Sequence, residues 1–152
     1  MKKQYFAIVI PLLVIIDQLI KWLVVEYIDL GTEHPFIPFI LSLTHLQNIG
    51  GAWSIMPGET WFFTLMALIV VVVATFFLVK NQVEWPLYNV ALAMIIAGGI
   101  GNAIDRVRFG EVIDMFQVKF FEFPVFNFAD VLLVVGVAVL FVYYIFIEKE
   151  KS

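Results

Sequence analysis

The sequence contains no cysteine. This absence excludes disulfide bonds, thiolate zinc sites, iron–sulfur clusters and a cysteine nucleophile. Charged residues are also scarce: they make up 14% of the 152 residues, whereas 62% are hydrophobic and the mean hydropathy is +0.99. Because so few charges cannot coat a soluble globule of this size, the composition predicts an integral membrane protein. The length predicts one domain over residues 1–152.

Basic residues are outnumbered by acidic ones, nine against thirteen, and they are scattered along the chain. The sequence therefore lacks the positive surface that nucleic-acid binding requires, and we expect no nucleic-acid partner. It also has no phosphate-binding glycine-rich loop and no Gly-x-Ser-x-Gly motif. His34 and His45 have no third ligand at metal spacing. We therefore expect no metal and no organic cofactor.

Four apolar segments are long enough to cross a bilayer as helices. The first differs from a cleaved signal peptide because it is longer, has no small-residue cleavage site, and carries Asp17 and Lys21, so we expect it to be retained. The fold class predicted is an integral membrane protein that is mainly α-helical. The spans are predicted at about 5–27, 61–79, 85–104 and 129–147.

The loops between the spans carry unequal positive charge. The loop at about 29–59 has no lysine or arginine, and the loop at about 106–127 has three, whereas the side that holds the termini has five lysines. Positive charge favours the cytoplasmic side, so the termini are predicted to be cytoplasmic and both loops to lie outside the cell membrane. Within the first loop, 41–44 and 52–55 are predicted as short strands joined by a turn at 48–51. The expected product is a small extracytoplasmic antiparallel β-sheet at the membrane face.

Three acids, Asp105, Asp114 and Asp130, lie at the predicted outer boundary of the membrane. Ionisable groups there are costly, which makes their cluster a candidate functional site. Asp114 stands in an otherwise apolar stretch and Asp130 at the start of the fourth helix. Two such carboxylates can share a proton, so that one activates a water molecule and the other protonates a carbonyl oxygen. The helix start favours the ionised form of Asp130, and we assign it as the base and Asp114 as the acid.

Each of these motifs also has a structural interpretation. Asp17 and Lys21 are four residues apart, so they can form an ion pair between helices instead of supporting a site. Asp105 and Arg106 can form a hydrogen-bonded pair at a helix end. Asn127 and Asp130 suit the cap and first turn of a helix. Glycines 98, 99 and 101 can serve only close helix packing.

Two functions other than hydrolysis are compatible with the sequence. A proton-coupled carrier could use Asp17, Asp105, Asp114 and Asp130 as a relay, and it would need acids spread through the membrane depth and internal symmetry. The acids instead cluster at one boundary, and no repeat is present. A catalytically inactive scaffold is the second alternative.

Five motifs occur in the same order as in the bacterial lipoprotein signal peptidases, also called type II signal peptidases, and the chain resembles this family over nearly its full length. The motifs are Asp17-Gln18-Leu19-Ile20-Lys21, Gln47-Asn48-Ile49-Gly50-Gly51-Ala52-Trp53, Gly101-Asn102-Ala103-Ile104-Asp105-Arg106, Gly110-Glu111-Val112-Ile113-Asp114-Met115 and Phe126-Asn127-Phe128-Ala129-Asp130.

The resemblance implies an intramembrane aspartic endopeptidase that cleaves before the diacylglyceryl-modified cysteine of a prolipoprotein. It implies a catalytic dyad of Asp114 and Asp130, a small outer sheet, and lateral entry of a lipid-bearing substrate from the membrane lipid. Two positions depart from the usual family pattern: Gly51 stands where alanine is usual, and Met115 where phenylalanine is common. The remaining motif residues are implied to line or support the substrate site. They are Asn48, Gly50, Asn102, Asp105, Arg106, Asn127, Ala129, Asp17 and Lys21.

Overall fold

A computed structural model describes residues 5–51, 55–80, 83 and 85–148. Four helices in this part of the chain are long and apolar enough to cross a membrane, as predicted. A three-stranded antiparallel sheet accompanies them. In chain order the elements are α1 (Phe6–Tyr27), β1 (Glu33–Ile37), β2 (Leu41–Asn48), α2 (Thr60–Lys80), α3 (Pro86–Phe109), β3 (Val112–Val118) and α4 (Phe128–Val142), which continues as a π-helical segment (Tyr143–Glu148).

Helix α3 lies at the centre of the helices and packs against α1, α2 and α4. In the most apolar stretch of α3, 67% of the residues are buried inside the protein, compared with 11–17% in the other three helices. The apolar surfaces of those three helices remain free to face lipid. The contact between α3 and α4 is close because glycines lie at it: a Cβ on Gly98 would overlap the carbonyl oxygen of Ala129. A Cβ on Gly136 would lie 2.8 Å from the carbonyl oxygen of Ala91. Close helix packing by glycine is therefore present at this interface.

Helix α3 ends later than the predicted residue 104. It continues to Phe109 and stops at Gly110, which has a φ of 75° and donates its N–H to the carbonyl oxygen of Arg106 at 3.0 Å. Glycine adopts this left-handed conformation without steric cost, and two arginines in the last turn suit the negative end of the helix dipole. Asp105 and Arg106 lie on the helix, at its end as predicted, and the loop predicted from about 106 begins after Phe109.

The small antiparallel sheet is confirmed, but its strands pair differently from the prediction. Strand β2 covers the predicted 41–44 and continues to Asn48, with β1 on one side and β3 on the other. Proline is tolerated in β1 because this strand is at the edge of the sheet. Of the expected second strand, Ile55 is not in a strand, and residues 52–54 lie outside the described residues.

Strand β3 belongs to the segment between α3 and α4, and it pairs with β2 from the segment between α1 and α2. It also lies against the C-terminal end of α1. Val24 of α1 packs with Ile113 and Met115 of β3 in a small buried cluster. Antiparallel pairing places Leu46 of β2 opposite Asp114. The sheet therefore holds Asp114 next to the ends of the membrane-spanning helices.

Candidate active site

A cavity of about 470 Å³ lies where β3 meets the C-terminal part of α3 and the N-terminal part of α4. At α4 it reaches Val134 and Val135, whose exposed fractions of 68% and 41% show that this side opens to the outer surface of the helix bundle. Most of its lining is apolar, but five polar residues also line it. These are Asn48, Asn102, Arg106, Asp114 and Asp130.

Asp114, in the middle of β3, is only 2% exposed. Its Oδ1 accepts the side-chain N–H of Asn127 at 2.7 Å, and its Oδ2 accepts that of Asn48 at 2.9 Å. Burial and, to a smaller extent, the nearby charge of Asp130 together raise the pKa of Asp114 from 3.8 to about 6, against the opposing effect of the two amide donors. Asp114 is therefore a carboxyl group that holds its proton more strongly than an ordinary aspartate.

Asp130 lies in the first turn of α4 and forms a reciprocal cap with Asn127. The backbone N–H of Asp130 donates to Asn127 Oδ1 at 2.9 Å, and the backbone N–H of Asn127 donates to Asp130 Oδ2 at 3.1 Å. Asp130 Oδ1 also accepts the side-chain N–H of Asn102 at 2.7 Å. The capping role predicted for these residues is confirmed, and Asp130 lines the same cavity as Asp114.

Asn48 is held by the loop that follows β2. Its Oδ1 accepts the backbone N–H of Gly50 at 2.9 Å, which leaves its amide N–H groups free to reach Asp114. The carbonyl oxygen of Gly50 accepts a hydrogen bond from Arg106 at 3.3 Å. Gly50 therefore braces two residues of the cavity without lining it.

The departure from the family pattern at Gly51 has a local structural explanation. A Cβ at this position would lie 2.7 Å from a ring carbon of Phe63 in α2. The phenylalanine ring thus occupies the room that the methyl group of an alanine would need. Met115, the other departure, is fully buried in the cluster between α1 and β3.

A buried ionic cluster lies behind the two cavity aspartates. Lys21 Nζ is 3.0 Å from Asp17 Oδ2 and 2.8 Å from Asp105 Oδ2, and it donates to Asn102 Oδ1 at 3.1 Å. The predicted pair of Asp17 and Lys21 is present, and Asp17 Oδ1 also accepts the backbone N–H of Ala129 at 2.9 Å. Because Ala129 directly precedes Asp130, this pair ties α1 to the start of α4.

The predicted pair of Asp105 and Arg106 is wrong. Adjacent residues of a helix do not face each other. Asp105 contacts Lys21, and Arg106 turns towards Gly50 and lies 5.5 Å from the ring centroid of Phe63. Arg106 therefore links the loop that holds Gly50 to helices α2 and α3.

Gln18 is a residue to which sequence reasoning gave no role. Its side-chain N–H groups reach Asp105 Oδ1 at 2.8 Å, the carbonyl oxygen of Gly101 at 3.2 Å and Asp17 Oδ2 at 3.2 Å. An uncharged amide next to Asp17 in an apolar segment was the signal that could have identified it. The hydrogen bonds and ion pairs join the four acids that a carrier could use as a relay into one network where α1, α3, α4 and β3 meet.

The chain is similar to known proteins in both sequence and fold. The sequence model described as signal peptidase (SPase) II matches residues 9–146. The chain is 50% identical over 147 residues to the lipoprotein signal peptidase of Enterococcus faecalis, covering 97% of this chain and 91% of the relative. It is 47% identical to that of Lactococcus lactis subsp. cremoris (strain MG1363), covering both chains fully. A solved bacterial membrane enzyme structure, 30% identical, superposes with a TM-score of 0.90 over 98% of this chain and 92% of the other.

Proposed function

This chain belongs to the signal peptidase II family and is an aspartic peptidase of the membrane, and from this premise we propose that Asp114 and Asp130 are its catalytic dyad. The substrate class is the prolipoprotein, whose signal peptide the enzyme removes. We further propose that it cleaves the bond before a diacylglyceryl-modified cysteine. The observation that carries the proposal is that both aspartates line one cavity whose other end opens at the surface of α4.

The two carboxylates divide the chemistry because their surroundings differ. Asp130 lies in the first turn of α4, where both of its oxygens accept N–H groups, an arrangement that suits a carboxylate acting as a base. Burial and the charge of Asp130 raise the pKa of Asp114 to about 6, so Asp114 keeps its proton at a higher pH than an ordinary aspartate does. We assign Asp130 as the general base and Asp114 as the general acid, with the single proton shared between them.

Hydrolysis then proceeds in two steps. Asp130 takes a proton from a water molecule whose oxygen attacks the carbonyl carbon, while Asp114 gives its proton to the carbonyl oxygen. The tetrahedral diol that results collapses when the proton on Asp130 passes to the amide nitrogen and the C–N bond breaks, while Asp114 recovers its proton from the diol. The products are a free carboxyl group on the signal peptide and a free amine on the modified cysteine.

The apolar part of the cavity suits a substrate that stays in the membrane lipid. Its lining at Val131, Leu133, Val134 and Val135 follows α4 from the dyad to the lipid-facing surface. A diacylglyceryl group can therefore remain in hydrocarbon while the peptide bond reaches the two aspartates. Loop charge favours an orientation in the cell membrane with cytoplasmic termini and the dyad at the outer face.

The test is cleavage of a diacylglyceryl-modified prolipoprotein by the purified protein in detergent, with the products identified by mass spectrometry. The matched control is the same prolipoprotein without the lipid. We expect a single cut before the modified cysteine and at least tenfold slower cleavage of the control. A cut elsewhere, or equal rates on the two substrates, would contradict the proposed specificity.

A further inference from the structure

We propose that Lys21 is a positioning residue of the dyad, which acts by fixing the side-chain amide of Asn102 so that its N–H donates to Asp130. The proposal rests on the assignment of Asp130 as the base and deepens it. Lys21 does not touch the cavity aspartates, and it reaches Asp130 only through Asn102.

The contacts of Lys21 account for all three protons of its ammonium group. Two are directed at the carboxylates of Asp17 and Asp105, at 3.0 and 2.8 Å, and the third at Asn102 Oδ1, at 3.1 Å. The side chain is 4% exposed, so water cannot replace one of these acceptors. The two aspartates would suffice for a buried ion pair, and the third contact connects this pair to the active site.

Asn102 has only one side-chain oxygen, and two donors meet it. Lys21 Nζ and Asn127 Nδ2 each lie 3.1 Å from Asn102 Oδ1. Asn127 cannot offer an acceptor instead, because its own Oδ1 is engaged by the backbone N–H of Asp130. The NH₂ group of Asn102 must therefore point the other way, where it meets Asp130 Oδ1 at 2.7 Å.

The reverse orientation of this amide would be strongly disfavoured. It would place the NH₂ group against the ammonium of Lys21 and the oxygen against the carboxylate of Asp130. Asn102 is 5% exposed, so neither mismatch would be relieved by solvent. Lys21 thus ensures that Asp130 receives an N–H donor, the hydrogen bond that suits a carboxylate acting as a general base.

The test compares Lys21→Met/Asp105→Asn with wild type, and Asp105→Asn alone is measured beside them to show what loss of that acid contributes. Replacing Lys21 by itself would leave two buried carboxylates without a cation, whereas the double variant removes one charge of each sign and leaves the net charge of the cluster unchanged. The other charged groups around Asp130, which are Arg106 of α3 and Asp114 of β3, are the same in both proteins. The readouts are the melting temperature, kcat, KM and the pH profile of kcat/KM on the lipid-modified prolipoprotein.

Relative to wild type, whose cluster has the same net charge, we expect the double variant to lose about tenfold or more in kcat with KM changed less than about threefold. The acid limb of kcat/KM, along which the base ionises, should move to higher pH. The same comparison in an Asn102→Ala background should show no further movement of that limb, because the amide through which Lys21 acts is absent. A structural role would instead lower the melting temperature equally in both backgrounds and leave the acid limb in place, which would overturn the proposal.

Asn102→Ala by itself keeps the proposal testable if the double variant does not fold. Since Lys21 acts only through the N–H of Asn102, an Asn102→Ala protein whose acid limb does not move would overturn the role of Lys21, and a limb that moves to higher pH would support it. A wild-type protein that cleaves no prolipoprotein would overturn the proposed function and this inference together. If wild type cleaves the prolipoprotein but the acid limb of kcat/KM does not move in the variants, the inference about Lys21 is overturned and the proposed function stands.

Discussion

The side-chain N–H of Asn127 lies 2.7 Å from Asp114 Oδ1, so the residue that caps α4 also holds a carboxylate of β3. Asn127 is fully buried and has both ends of its amide engaged, since its oxygen accepts the backbone N–H of Asp130. The separation between the two aspartates is therefore tied to the start of a membrane-spanning helix. A change in this cap is expected to alter catalysis as well as stability.

Asn127→Ser separates these two roles. Serine is as good a helix cap as asparagine, so the cap is kept, and we expect a loss of stability of about 1–3 kcal/mol from the buried oxygens of Asp114 and Asn102 that lose a donor. The serine hydroxyl is too short to replace the N–H donated to Asp114, and kcat should fall by about ten- to a hundredfold. The lost donor favoured the ionised form, so the pKa of Asp114 should rise further. Steady-state kinetics measure the fall in kcat, and thermal unfolding measures the loss of stability. An unchanged kcat in Asn127→Ser would contradict the catalytic role given to Asn127.

The pH dependence of kcat/KM follows from the raised pKa of Asp114. The acid must carry its proton in the free enzyme, and it loses that proton around pH 6. We therefore expect kcat/KM for the lipid-modified substrate to fall as the pH rises above about 6, with the apparent value belonging to the coupled pair. Activity that continues to increase through pH 7.5 would contradict the assignment of Asp114 as the acid.

The free energy of unfolding should also depend on pH through the titration of Asp114. Because folding raises the pKa of Asp114 from 3.8 to about 6, the protonated carboxyl contributes stability that is complete below pH 3.8 and lost as the pH rises through 6. Asp114→Asn cannot titrate, so its free energy of unfolding relative to wild type should increase by up to about 3 kcal/mol between pH 4 and pH 8. Thermal unfolding of both proteins across this range provides the measurement. A difference that does not vary with pH would contradict the raised pKa.

Gly101→Ala tests the connection between α1 and the start of α4. A Cβ at Gly101 would lie 2.5 Å from Asp17 Oδ2, so the added methyl group must displace a carboxylate that binds Lys21 and the backbone of Ala129. We expect a loss of about 2 kcal/mol or more in stability and at least a tenfold loss of activity. The matched control is Gly99→Ala, whose methyl group meets only the end of the Val71 side chain within 3 Å. Equal activity in the two variants would contradict the role given to Asp17.

Features that depend on residues close together in the sequence were predictable from the sequence. The four spans follow from apolar segments of sufficient length, and the cap of α4 from Asn127 followed three residues later by Asp130. Acids at the membrane boundary identified the cavity that Asp114 and Asp130 line. The end of α3 is also indicated by the sequence, because Gly110 follows two arginines, but the drop in hydropathy at residue 104 predicts an earlier end.

Long-range pairing was not predictable in the same way. Strands β2 and β3 come from different outer loops, and no local turn joins them, whereas the residues at 48–51 have the composition of a hairpin turn. The partner of Asp105 depends on how α1 and α3 pack, and this packing gives it Lys21 instead of the adjacent Arg106. Gln18 was overlooked for the same reason, because each of its partners except Asp17 lies on α3.

The most direct test of the central claim is cleavage of the lipid-modified prolipoprotein by Asp114→Asn and Asp130→Asn beside wild type. Each substitution keeps the size of the side chain and removes the ionisable carboxyl group. The matched control is Asp29→Asn, which changes an exposed acid in the first outer loop. We expect both dyad variants to be folded and to lose about 10²- to 10⁴-fold in kcat, while the control retains wild-type activity. A folded Asp114→Asn or Asp130→Asn protein that still cleaves at the wild-type rate would contradict the catalytic dyad.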